Sequence, residues 1–405
     1  MPVSVESRLG RHYIVEDKSE AVPFLIRFRC SEKFASTSSL YSVAIDASWS
    51  MDGAKIFRAK EAVLKMLKNL PSTDYINIYS FNDRTKLVYS GRVSEYNKAL
   101  SSVLDIRLGG GTNIYGLLKH VYSNYLNMRS EGINSHKLIV ITDGIPTTGT
   151  RSSSKIIDIA RRLGEHVSAS VIVCVGDDCN DKLLMDIATS TKGVLEVLDD
   201  ADKLIPVVEK LAHRYRNICA KNVKMYVKST PTSSIYIYNR SLKPTENGLE
   251  ISVGDIYTYD RIDIAGEVVV PPQRSGNIYL ATISIEYTDI DSEHRELPPI
   301  TLSIPCLSNQ TTSEPAIDAT IYREVNLVKM ASMIVKDLYK NLTITDAQKI
   351  ITEFTEKTKT ATSNTEDLYA KTIDLREHLE SEGLSPEAIK KLMSLLSRIL
   401  TGRMY

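Results

Sequence analysis

Long apolar runs are missing from this chain. No stretch approaches 18 consecutive apolar residues, so no membrane-spanning helix is expected. The first residues, MPVSVESRLGR, lack the apolar core of a secretory leader. A surplus of one charge is missing too. Fifty lysines and arginines face 50 aspartates and glutamates, which argues against binding nucleic acid through a broad positive surface. Cysteine is sparse. Cys30, Cys174, Cys179, Cys219 and Cys306 are too few and too scattered for a disulfide framework, so an intracellular protein is expected. Cys174 and Cys179 read as a strand-end and a turn residue, because a zinc pair needs two more soft ligands and none stands nearby. Several catalytic signatures are also missing. There is no Gly-x-x-x-x-Gly-Lys-Ser/Thr phosphate loop, no Gly-x-Ser-x-Gly elbow and no His-Glu-x-x-His, and the seven histidines are isolated in sequence.

What is present is ordinary globular composition, 42% hydrophobic and 25% charged, over 405 residues, enough for two or three domains. Residues 1–36 hold two strand-like pieces, HYIVE (12–16) and VPFLIRFRC (22–30). Two such strands are not stable alone and are expected to join another sheet. Residues 37–217 alternate apolar strands (40–46, 75–81, 86–90, 136–142, 168–176, 193–198) with helices of 3.6-residue periodicity (53–70, 95–104, 114–128, 152–167, 180–190, 202–217). That alternation predicts an α/β domain with a mostly parallel sheet covered on both faces. Residues 218–312 turn to Val, Ile, Tyr and Thr in VKMYVKS, SSIYIYNR, GEVVVP and NIYLATISIEYTD, with prolines mostly between them. They predict a β-sandwich that the N-terminal strands join, which makes the α/β domain an insertion. Residues 313–405 form a helical region, its last helix capped by Ser385 and entered at Pro386.

The chemistry concentrates in three separated segments. A buried strand stops at Asp46, and Ser48 and Ser50 follow at alternate positions in AIDASWSMDG. Thr112 follows three glycines in LGGGTNIY, and Asp143 ends the apolar strand of LIVITDG. At the carboxyl ends of central parallel strands these segments meet in one crevice. Hard oxygen donors of this kind suit Mg2+ or Mn2+. Ser48, Ser50 and Thr112 are expected to reach the ion more directly, with Asp46 and Asp143 acting partly through water. One position is then open to a partner's carboxylate. Trp49 is either a rim anchor for that partner or packed beneath the loop.

Asp46-Ala47-Ser48-Trp49-Ser50, then Thr112, then Asp143, resembles the metal-ion-dependent adhesion site of von Willebrand factor A domains. The resemblance covers roughly residues 38–215 and implies a doubly wound six-stranded fold and protein binding, often through an acidic residue of the ligand. It seldom implies catalysis, so no enzyme is expected. A metal-dependent phosphohydrolase is the rival, since strand-end carboxylates with Mg2+ also suit phosphoryl transfer.

The four-part layout is further similar to von Willebrand A proteins of the archaellum motility-repression module in Sulfolobus-type archaea. That likeness implies a cytoplasmic archaeal regulator without direct nucleic-acid or membrane contact. It also implies a forkhead-associated-domain partner and modulation by Ser/Thr kinase and phosphatase. The Thr-rich stretch 352–367 is a poor helix interior. It reads either as a solvated connector or as a set of phosphate acceptors at Thr352, Thr355, Thr358, Thr360, Thr362, Ser363 and Thr365.

Overall fold

The computed structural model describes residues 3–30, 38–128, 135–176, 179–214, 218–258, 260–289, 293–308, 316–341, 343–359 and 366–402. The chain divides into two units. Met1–Ser31 and Val223–Tyr405 make one, and Glu32–Asn222, inserted between them in sequence, makes the other.

Three strands open the chain: β1 (Val3–Leu9), β2 (Ile14–Val15) and β3 (Glu20–Cys30). The inserted unit then runs β4 (Leu40–Asp46), α1 (Ala54–Asn69), β5 (Tyr75–Phe81), β6 (Thr85–Arg92), α2 (Tyr96–Leu104) and α3 (Ile114–Met128). It continues through β7 (His136–Thr142), α4 (Ser153–Gly164), β8 (Ala169–Val175), α5 (Asp181–Ser190), β9 (Val194–Leu198) and α6 (Leu204–Arg214). Its sheet has the order β6-β5-β4-β7-β8-β9, parallel except for β6, as the α/β expectation required. Every residue of β4, β7 and β8 is buried. Strands covered on both faces have no solvent side to supply alternating polar residues, which is why they read as mostly apolar runs. Helix α1 buries Ala59, Ala62, Val63, Met66 and Leu67 on one stripe. The chain leaves β4 toward β5 on one side, and β7 lies on the other. The strand order reverses there, and in open α/β sheets ligands bind outside the carboxyl ends of the strands at such a point.

The other unit continues with β10 (Ile218–Ser229), β11 (Ser234–Ile237), β12 (Lys243–Thr245), β13 (Gly248–Tyr257), β14 (Arg261–Val270), β15 (Gly276–Thr288) and β16 (His294–Leu307). One sheet has the order β1-β3-β14-β11 and the other β12-β13-β10-β15-β16-β2. The N-terminal strands therefore part company: β3 pairs with β14 from Glu20↔Val270 to Arg29↔Arg261, while β2 runs parallel to the end of β16. Strand β16 contradicts the expectation that prolines separate strands. Pro298 and Pro299 lie inside it, where the register slips between Ile283 and Ile285 and no ladder bond is asked of them. A second slip between Tyr279 and Ala281 breaks the alternation of NIYLATISIEY, so that Leu280 and Ala281 are both buried and Tyr279 is exposed.

The tail forms α7 (Ala319–Asn341), α8 (Ile344–Lys359), α9 (Glu366–Glu382) and α10 (Pro386–Thr401). Helix α7 buries Ile321, Val325, Val328 and Ala331. The Ser385 hydroxyl accepts from Ala388 N at 3.2 Å, and Gly402 closes α10 in the left-handed conformation. Helix α8 corrects the connector reading for the first part of the Thr-rich stretch, because it continues to Lys359; residues 360–365 lie outside the described residues. The Thr352 and Thr355 hydroxyls donate back to Gln348 O and Ile351 O at 2.8 and 2.7 Å, so the threonines satisfy themselves within the helix. Among the described residues no helix is long and apolar enough to cross a membrane.

Candidate metal centre

Asp46 closes β4 with its side chain fully buried. Its Oδ1 accepts the Ser48 amide at 2.9 Å, and its Oδ2 accepts the Thr142 hydroxyl at 2.6 Å. The first bond folds the chain back after the strand. A 3-10 turn at Trp49–Met51 then brings Ser50 around. The Ser48 and Ser50 hydroxyls lie 2.9 Å apart, and Ser50 donates to Asp143 Oδ1 at 2.8 Å. A continuous line of oxygens thus joins the loop after β4 to the end of β7.

The third segment is tied to both. Ala47 N donates to Phe81 O at 2.8 Å, Gly109 N to Ala47 O at 2.9 Å and Trp49 N to Gly110 O at 3.3 Å. Thr112 N donates to the Thr147 hydroxyl at 2.8 Å, and Thr112 O accepts Thr147 N at 3.0 Å. A Cβ built on Gly144 would stand 3.1 Å from Thr112 Oγ1, which places that hydroxyl against the backbone just after Asp143. Gly110 has φ +68°, and a side chain there would collide with the Asp83 carboxylate. The tight path to Thr112 therefore requires glycine.

The buried pair of carboxylates is short of positive charge. Burial, reinforced by the nearby Asp143 carboxylate, pushes the Asp46 carboxyl up to about 6 against the pull of its hydrogen bonds from Thr142 and Ser48. Asp143 forms an ion pair with Lys55, Nζ to Oδ2, at 2.7 Å. Two carboxylates and one ammonium leave a net charge of −1. Three hydroxyls and two carboxylates are the donor set that a hard divalent cation takes, so the residues fit Mg2+ or Mn2+.

Lys55, Thr142 and Thr147 were missing from the sequence reading. Lys55 left one signal: a cation in the first turn of a helix opposes the helix dipole, which asks for a compensating anion nearby. Trp49 resolves to the exposed alternative, with 65% of its surface accessible, and Ile145 and Phe57 are also exposed. The histidines are less isolated than their spacing suggests. His294 lies 3.4 Å from Glu296, and with Glu286 the three place their ligand atoms within 4.8 Å of one another. Glu286 there already accepts from Tyr226 at 2.8 Å.

The cysteines also need correcting. Cys174 and Cys179 bond to each other across the turn after β8, and Cys306 is the free thiol among the described residues. The cysteine count therefore gives no argument for a reducing compartment. Of the tail acceptors, Thr352 is exposed and Thr355 is 5% exposed. A kinase would have to unpack the helix to reach Thr355. Thr358 lies in α8, and Thr360, Thr362, Ser363 and Thr365 fall outside the described residues.

Residues 42–209 match the von Willebrand factor type A domain family. The sheet order and flanking helices are those of the von Willebrand A fold. An uncharacterized protein of Synechocystis sp. is 21% identical over 70% of this chain and 69% of its own length. Inter-alpha-trypsin inhibitor heavy chain H6 of Homo sapiens is 28% identical over 39% of this chain, and the match spans only 13% of that relative. Among solved structures, the ArnB paralog VWA2 from Sulfolobus acidocaldarius aligns over 99% of both chains, with TM-score 0.75 and 18% identity. A von Willebrand factor type A protein from Catenulispora acidiphila aligns over 98% of this chain and 96% of its own, with TM-score 0.76 and 14% identity. At these identities the likeness is one of fold.

Proposed function

We propose that this protein is a non-catalytic binding scaffold that takes a protein partner at a metal-organised rim. Ser48, Ser50 and Thr112 hold a Mg2+ or Mn2+ ion, with Asp46 and Asp143 supplying negative charge around it. The ion supplies an electrophilic point for an acidic side chain of the partner. The chain's own residues do the rest. Asp46 fixes the loop through Ser48 N and Thr142, Ser50 bridges to Asp143, and Trp49 offers an aromatic anchor of the kind that dominates interface energetics. The observation that carries the reading is the oxygen line Ser48–Ser50–Asp143, which joins two distant segments at 2.9 and 2.8 Å.

The finer reading is a cytoplasmic archaeal regulator. Its partner is a forkhead-associated-domain protein, a Ser/Thr kinase and phosphatase modulate the pair, and the outcome is repression of archaellum expression. The four-part layout supports it, and the full-length fold likeness to a Sulfolobus protein agrees with it. Balanced charge supports the absence of direct nucleic-acid contact. No observation favours the phosphohydrolase over this reading.

The test is calorimetry between this chain and the forkhead-associated-domain protein, with Mg2+, with chelator and after phosphatase treatment. Binding lost on chelation and in Trp49→Ala supports the rim as the interface. Binding lost only after phosphatase treatment moves the interface to the tail. Binding insensitive to all three refutes the proposal.

A further inference from the structure

We infer that Lys55 is a built-in competitor for the divalent ion, holding Asp143 until an ion displaces it. This rests on the metal reading above and adds to it a residue that sets how readily the site fills. The two oxygens of Asp143 are divided between two donors. Oδ1 accepts the Ser50 hydroxyl at 2.8 Å, and Oδ2 accepts Lys55 Nζ at 2.7 Å. The same ammonium stands 3.3 Å from Ser50 O. Lys55 is thus paired with the carboxylate that ends one metal segment and with the backbone of another. A divalent ion drawing on Ser50 and Asp143 would lie within a few ångströms of that ammonium, where like charges repel strongly because the carboxylate is fully buried.

The placement of Lys55 is not explained by its own helix. It is the second residue of α1, where the helix dipole disfavours a cation. Arg58, nearly one turn further on, pairs with Glu61 and Asp202 and leaves Asp143 alone. Gly176, just after β8, stands against the lysine's end: a Cβ there would be 3.1 Å from Lys55 Cε and 3.2 Å from Nζ. Gly176 has φ +97°, and the Cys174–Cys179 bond spans that position. The ammonium therefore sits against the Gly176 backbone on one side and the Asp143 carboxylate on the other. Its side chain is 28% exposed, and its flexible stem lets the charge swing into water. When the ion arrives, Lys55 is released at the rim. The apparent metal affinity is then the intrinsic affinity multiplied by the fraction of molecules in which Lys55 has left.

The experiment is a Mn2+ titration of the full chain, read as free Mn2+ by electron paramagnetic resonance. Wild type is compared with Lys55→Met, Lys55→Gln, Asp143→Asn and Lys65→Met. Lys65 lies on the same helix, pairs with Glu61 at 3.4 Å and controls for the loss of one charge. Both Lys55 variants are expected to bind about tenfold tighter than wild type or more, Lys65→Met to match wild type, and Asp143→Asn to bind nothing. Mn2+ binding by the Lys55 variants alone supports the inference most strongly. Equal or weaker affinity in both Lys55 variants, or an equal gain in Lys65→Met, overturns it while the metal reading stands. No binding in wild type or either Lys55 variant overturns the metal reading and the competitor together.

Discussion

Each unit of this molecule buries a cluster of charge, and the two clusters are balanced differently. In the unit built from the chain ends, Arg27 Nε pairs with Asp263 at 2.8 Å and Arg27 Nη2 with Glu324 at 2.6 Å, while Arg261 reaches the same two carboxylates at 2.8 and 3.1 Å. Two guanidiniums meet two carboxylates, and the planar forks leave little unsatisfied. That cluster is electrically closed and ties β3, β14 and α7 together. In the inserted unit, Asp46 and Asp143 are equally buried, yet among the described residues one flexible ammonium, that of Lys55, reaches them. The first arrangement is a structural fastening. The second keeps a net negative charge at the carboxyl ends of β4 and β7, answered besides Lys55 only by neutral donors such as the Ser50 and Thr142 hydroxyls.

The contrast is open to attack from both sides. Arg27→Met should destabilise its unit by about 3–5 kcal/mol in urea unfolding, because removing one partner leaves Asp263 buried without its fork. A loss under about 1 kcal/mol would mean the cluster is no fastening. Saturating Mn2+ should stabilise the inserted unit by about 2.7 kcal/mol at a hundredfold excess over Kd, and should do nothing for Asp143→Asn. Thermal unfolding with and without Mn2+ measures both.

A second comparison separates metal chemistry from ordinary burial. His136 is buried, stacked on Tyr125 at 4.5 Å and bonded to Ser42 Oγ at 2.8 Å. Burial, with His166 nearby, lowers its pKa to about 3. The imidazole is neutral in both states above about pH 6.5. Below that the unfolded chain takes up a proton that the folded one refuses, so stability falls as the pH drops toward 3. The slope is about 1.4 kcal/mol per pH unit, or about 2 kcal/mol from pH 6.5 to 5. His136→Gln should flatten this part of the pH profile at saturating and at zero Mn2+ alike. The smallest effect is expected from Ser385→Ala, about 1 kcal/mol from the lost cap of α10, with Mn2+ affinity unchanged.

How much of this was legible in sequence depends on how local the cause is. Strands β4, β5 and β7 begin and end where the sequence predicts, because burial on both faces imposes a mostly apolar pattern. Asp46, Ser48, Ser50, Thr112 and Asp143 stood out because strand ends and glycine turns mark a crevice from local pattern alone. Lys55 did not, since only the folded sheet brings residue 55 to residue 143. Strand β1 was invisible for a related reason: VSVESRL carries little apolar signal, and its partner β3 supplies the order. Strand β16 hid behind Pro298 and Pro299, which a register slip accommodates. Helix α8 hid behind threonines that bond back to their own helix.

The central claim is that three separated segments surround one ion, and Thr112 is the member whose contribution is least secured by direct bonds to the others. A calorimetric Mn2+ titration of wild type against Thr112→Ala tests it most directly. One ion per wild-type chain, and an affinity at least about tenfold weaker in the variant, is the predicted result. Identical heats and affinities in the two proteins would contradict the account.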